Sequence, residues 1–121
     1  MMRLARFGEF WPYYLQEHAR AGTRALHYAG TTLVLLLLAT LPFLHNWWLT
    51  AAVPLAGYGF AWIGHGLIEH NRPATFRYPL WSLGADFVMW YRFIGGHMVH
   101  DLRRAGVRTD GTVDPEQRLG L

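Results

Sequence analysis

The chain has seven histidines and no cysteine. Any metal chemistry must therefore use imidazole and carboxylate donors. Disulfides, zinc-thiolate sites, iron-sulfur clusters and cysteine nucleophiles are all excluded. His18 and His27 stand nine positions apart, and His65 is followed four positions later by Glu69. On a helix that last spacing puts His65 and Glu69 on one face, a turn apart, as in helical His/carboxylate metal pairs. His70 falls at the fifth position from His65 and points to another face. His97 and His100, beside Asp101, form either a second metal pair or simply the polar end of a helix, and the second is the simpler reading. His45 stands alone and is expected to be solvated.

Two long apolar segments must carry these groups. Of 121 residues, 52% are hydrophobic and 16% charged, against about 25% charged in ordinary soluble proteins. From Tyr28 to Ile68 the only charged or imidazole side chains are His45 and His65. Spans are expected over His27–Leu44 and Trp47–Glu69, each long enough at about 1.5 Å per residue to cross a hydrocarbon core of roughly 30 Å. They form an antiparallel hairpin whose turn runs from Pro42 to Asn46 and leads into Trp47-Trp48, a pair suited to the lipid-water interface. All eleven basic residues are arginine. They flank the apolar stretches rather than form a basic face, so nucleic acid is not an expected partner and membrane lipid is. Arg20 and Arg24 precede the first span and Arg72 and Arg77 follow the second. The positive-inside rule therefore puts those ends in the cytoplasm; the arginine-only set fits a GC-rich bacterial genome, and the expected location is a bacterial inner membrane with the metal site at its cytoplasmic face.

The fold class is all-α: an integral membrane helical bundle with a transmembrane hairpin, an N-terminal interfacial helix and a third long helix. Residues 1–107 make one domain. Phe10–Arg20 reads as a short amphipathic helix with Pro12 in its first turn, Ala21-Gly22 as its stop and Thr23 capping the next helix. The third helix is expected from Pro79 to Arg104, with a weak point at Gly95-Gly96. Its full crossing would carry Arg103, Arg104 and Arg108 outward, so a tilted helix packed on the hairpin is the better reading. Residues 108–121 are polar, with Gly and Pro, and are expected to form a mobile tail. The first hydrophobic run comes too late for a cleaved signal peptide, so these segments are expected to remain in the mature protein.

Antiparallel topology brings His27, His65 and Glu69 to one membrane face, with His18 level beside them. Each residue alone is an ordinary interfacial group. Their convergence favours a metal site, because ionisable groups held at a membrane tend to be paired and functional. Tyr14, a turn before His18, either reaches the site or is an interfacial aromatic. Asp86, on the third helix, must be paired, protonated or turned inward. A haem protein with two histidines as axial ligands and a non-catalytic lipid-binding protein are the alternative readings.

At these residues the sequence resembles the integral membrane 2-hydroxy fatty acid dioxygenases of fungal phytosphingosine breakdown and their short bacterial relatives. The matching stretches are Tyr14-Leu15-Gln16-Glu17-His18, Leu26-His27-Tyr28-Ala29-Gly30-Thr31, and Gly64-His65-Gly66-Leu67-Ile68-Glu69 running into Asn71-Arg72-Pro73-Ala74. The resemblance covers roughly Phe7 to Phe93. Bacterial relatives also share the stretch from Phe76 to Leu83 and Asp86-Phe87, from which the longer fungal members depart. It implies an enzyme using Fe(II) and O2 to convert a 2-hydroxy fatty acid to the acid one carbon shorter, an α-oxidation. His18, His27 and His65 would be the iron ligands, with Glu69 either a fourth ligand or an acceptor orienting an imidazole. Arg72 would pair with the substrate carboxylate or, equally, fix its connector.

Overall fold

Two apolar helices set the architecture. The computed structural model describes residues 4–44, 46–72 and 77–119. Helix α2 covers Ala21–Leu44 and α3 covers Trp47–Ile63, continuing into a π-helical turn over Gly64–Glu69. They pack side by side as an antiparallel hairpin, and both are long and apolar enough to cross a membrane. Only 22% of each apolar window is buried within the protein, whereas the core helix of a water-soluble domain would be mostly covered. Leu36, Leu55 and Leu67 are exposed, and lipid is the solvent that accepts them. At the hairpin tip Trp47 and Trp48 are 88% and 83% exposed, as an interfacial aromatic pair should be. Asn46 caps α3, its side-chain oxygen accepting from the Trp48 amide at 3.0 Å. His45, in the turn, lies outside the described residues. The fold is an all-α membrane helical bundle.

Small residues let the hairpin close. A Cβ built on Gly30 would stand 3.0 Å from the Phe60 Cβ and 3.1 Å from the Ala56 carbonyl. One on Gly64 would meet Thr23, and one on Gly22 would meet Ile68. Where lipid gives no hydrophobic incentive for helices to associate, such close backbone approach supplies the packing.

The N-terminal segment differs from its sequence reading. Helix α1 spans Phe7–Gln16, so Pro12 lies inside it and His18 sits in the turn after it. Its inner face is packed into the protein: Phe10, Tyr14 and Leu15 have no exposed surface, while Gly8 and Glu9 on the outer face are exposed. Phe10 packs against Tyr78 and Trp81, at ring-centroid distances of 5.3 and 5.7 Å. The aromatics that read as an interfacial belt instead form the core between α1 and the third helical region. That region is two helices, α4 over Pro79–Ile94 and α5 over Met98–Arg104, broken at the expected glycines, where Gly96 takes φ +78°. Arg92 spans the break with two hydrogen bonds of 2.7 Å to the Asp101 carboxylate.

Residues 108–119, within the stretch read as a mobile tail, run as a strap against the protein. Val107 pairs with Val113. The buried Gln16 side chain donates to the carbonyls of Ala105 and Gln117, at 2.9 and 2.8 Å, and accepts from the Leu119 amide at 2.8 Å. One amide with all its main valences used holds the strap against α1, information that composition does not carry.

Replacing Gly30 by Val should force α2 and α3 apart, because the nearest obstacle includes backbone. Overpacking of this kind costs about 1–3 kcal/mol. The variant in detergent is expected to melt several degrees lower than wild type, checked by circular dichroism.

Candidate metal centre

Three segments each deliver one imidazole. His18 comes from the α1–α2 turn, His27 from the second turn of α2, and His65 from the π-helical turn ending α3; all three are buried. Each ring is held through Nδ1. His18 Nδ1 donates to the Tyr14 carbonyl at 2.6 Å, an oxygen the end of α1 leaves available, since the His18 amide bonds Leu15 instead. His27 Nδ1 donates to the Thr23 carbonyl at 2.9 Å. His65 Nδ1 meets Asn71 Oδ1 at 2.6 Å. The Asn71 orientation follows from its other contacts, because Nδ2 faces only acceptors, the Glu17 carbonyl at 3.1 Å and carboxylate at 2.7 Å.

This pattern fixes the tautomers. A neutral imidazole has one N–H and one lone pair. With every Nδ1 donating, every Nε2 presents a lone pair, and these converge: His18 Nε2 lies 3.0 Å from His27 Nε2 and 3.0 Å from His65 Nε2. Facing lone pairs repel unless something positive stands among them. Burial and the neighbouring imidazoles also hold the His18 pKa well below its ordinary value, so the ring is neutral, the form that binds a metal. Among the described residues these three make the metal-capable group, with ligand atoms all within 4.8 Å of one another. Metal-imidazole bonds of about 2.1 Å set at right angles put donors about 3 Å apart, which is the spacing of His18 Nε2 from each of the other two. The donor set therefore fits a divalent metal.

Residues 4–98 match the family model described as 2-hydroxy-palmitic acid dioxygenase Mpo1-like. The chain belongs to the Mpo1-like family. No curated protein and no solved structure gives a significant match. All three buried histidines fall inside the matched stretch, so the Mpo1-like region is the region that builds the centre.

Of the other sequence-predicted site residues, Glu69 is not in the histidine group. Its carboxylate accepts from the Arg20 amide at the head of α2, tying the end of the hairpin to the turn that carries His18. Arg72 is exposed at the start of the connector and does not line the cavity beside His27. Pro73 and Ala74 of the motif string lie outside the described residues. His70 is exposed, with φ +58°, and closes the π-helical turn. His97 and His100 are exposed, as the polar end of a helix would be.

Spacing alone did not indicate Asn71 and Glu17 as the support of His65, although both lie inside the motif strings. Tyr14 does reach the site: its ring stacks on His18 with centroids 4.1 Å apart, and its hydroxyl donates to Asp86. Burial beside that carboxylate raises the Tyr14 pKa well above the usual phenol value. Surrounding protein raises Asp86 to about 6, against the opposing effect of the Tyr14 hydroxyl. From His27 an apolar cavity of about 340 Å³ runs along α2 past Thr31 and Val34 to Leu38, walled by α3 and α4. That stretch of α2 is about 16 Å long.

Removing the oxygen that holds His65, with Asn71→Ala, should weaken metal binding about 10- to 100-fold while leaving all three ligands present. Competition against a chelator of known affinity measures this, and unchanged affinity would show that Asn71 does not orient the ring.

Proposed function

We propose that this chain is an Fe(II)- and O2-dependent dioxygenase that converts a 2-hydroxy fatty acid to the acid one carbon shorter. One observation carries the reading: three buried Nε2 lone pairs, with their tautomers fixed, converge beside an apolar cavity that begins at one of them. The description of the family supplies the substrate class. Stoichiometry closes with one O2 per turnover, yielding the shortened acid, CO2 and water: C2 rises to a carboxyl, C1 leaves as CO2, and the four electrons lost reduce O2.

His18, His27 and His65 would hold the iron, which when bound supplies O2 activation at coordination positions the protein leaves open. The protein positions the other partners. The cavity wall takes the acyl chain, excludes water along it, and points the carboxyl end towards His27. Tyr14, Thr23 and Asn71 keep the imidazoles from turning. Glu69 is proposed as a support of the site through Arg20, and Arg72 as a first contact for the anionic head at the membrane surface. With arginines flanking this end of the hairpin, the site is proposed to face the cytoplasm of a bacterial inner membrane.

A haem reading is less compatible with the geometry. Axial ligands approach a flat macrocycle from opposite sides, whereas these donors meet at one point. Protein purified in detergent, before any iron is added, should therefore lack an intense Soret band.

The deciding experiment loads detergent-purified protein with Fe(II) under nitrogen, then adds 2-hydroxypalmitic acid and O2. Wild type is expected to form the fifteen-carbon acid. His65→Ala should lose bound iron and fall to background. No shortened acid from iron-loaded wild type at any of several chain lengths would reject the reaction.

A further inference from the structure

Asp86 is the acid in an otherwise weakly polar wall. It lies in the middle of α4, half-buried, and lines the same cavity as His27. Beyond these two, the lining offers only the hydroxyls of Thr31 and Tyr58; the rest is apolar. A carboxylate there is costly unless its oxygens are met. Its hydrogen-bond partner is the Tyr14 hydroxyl, on one oxygen; the second oxygen has no partner among the described residues. A carboxylate offers about four lone-pair sites, so Asp86 keeps capacity to accept from whatever fills the cavity.

Its position is tied to the metal centre through one side chain. Tyr14 has no exposed surface, stacks on His18, accepts the His18 Nδ1–H hydrogen bond on its carbonyl and donates its hydroxyl to Asp86. The acceptor in the cavity is thus held in register with a metal-facing imidazole by a rigid aromatic arm. An acceptor so placed suits a ligand with a hydroxyl donor near its metal-binding end and a hydrocarbon chain beyond it.

We propose that Asp86 reads the substrate's 2-hydroxyl: its unpartnered oxygen accepts the hydroxyl's hydrogen bond, and Tyr14 holds the carboxylate in place to do so. The inference rests on the substrate class proposed above and adds what distinguishes a 2-hydroxy acid from the plain acid of equal length. A fatty acid without the hydroxyl would fill the cavity and leave Asp86 unmet, and sites built around a substrate hydroxyl reject analogues lacking it for that reason. The bond itself changes no covalent connection and needs no further reactant.

The test is the ratio of dissociation constants for palmitic and 2-hydroxypalmitic acid. It is measured on the Fe(II)-loaded chain without O2, through tryptophan fluorescence, for wild type, Asp86→Ala and Asp86→Asn. Chelation enters the ratio equally in every protein, so the change between proteins isolates Asp86. Asp86→Ala is expected to lower the ratio about 10- to 100-fold, with iron still bound and palmitic acid held no more weakly than by wild type. Asp86→Asn, which keeps the shape and a weaker acceptor, should fall between. A ratio unchanged in either variant that still binds iron and palmitic acid overturns the proposal. Equal weakening for both acids also overturns it, since that is what a mere tie between α1 and α4 would give. If wild type binds neither acid, the substrate class itself fails, a result distinct from an unchanged ratio.

Discussion

Three lone pairs turned towards one point inside a protein repel each other, and that constraint organises the rest of the molecule. Each ring is denied its easier alternative because its Nδ1–H is committed: to the Tyr14 carbonyl, the Thr23 carbonyl and the Asn71 side chain. Rotating any one ring to relieve the repulsion would strand a buried donor and a buried acceptor together, at about 1–3 kcal/mol for each group left unmet. The acceptors belong to the end of α1, the start of α2 and the residues after the π-helical turn. Those three segments must therefore be docked before the centre exists. The deep placement of α1 follows from this, since a helix lying loosely on the membrane surface could not hold His18 in position.

The hairpin serves the same constraint by bringing together residues far apart in sequence. His27 and His65 can be neighbours only if α2 and α3 approach closely at one end, and Gly22, Gly30 and Gly64 each leave no room for a side chain between the segments, those at Gly22 and Gly64 near the histidines. The π-helical turn contributes a second adjustment. Wider than an α turn, it releases the chain so that the His65 carbonyl accepts from both His70 and Asn71, and Asn71 returns under its own histidine. Such turns are common where a helix must aim a functional side chain.

Much of this was readable from residue type and order. The two spans, the tryptophan pair at the tip and the glycine break before α5 follow from apolar length, aromatic placement and backbone freedom, all of them local. The pairing of His27 with His65 needed only antiparallel topology. The depth of α1 was not readable, because Phe10, Tyr13 and Tyr14 suit an interface and a core equally well, and only Tyr78 and Trp81, far along the chain, decide between them. The Arg20 contact of Glu69 was not readable for a related reason. Four positions after His65 on an ideal helix it shares the histidine's face, but the amide of Arg20, exposed at the head of α2, draws the carboxylate away. Asn71 lacks the charge that spacing arguments look for, yet it does what Glu69 was expected to do in its second role.

That exchange has an electrostatic consequence. With Glu69 at Arg20, the gathered donor set is three neutral imidazoles, and Glu17 stands behind it through Asn71. A divalent ion held there would keep its full charge in surroundings of low dielectric, where an unbalanced charge is expensive. Under the proposed function, the substrate's own carboxylate supplies the balance. A carboxylate ligand from the protein would have met part of that charge beforehand and weakened the pull on an anionic head group. A neutral triad would instead couple metal binding to acid binding, with the apolar cavity beyond His27 open to the chain. Recognition then divides by chemistry: charge for the carboxylate, hydrophobic surface for the chain, and a single hydrogen-bond acceptor for whatever polar group stands between them.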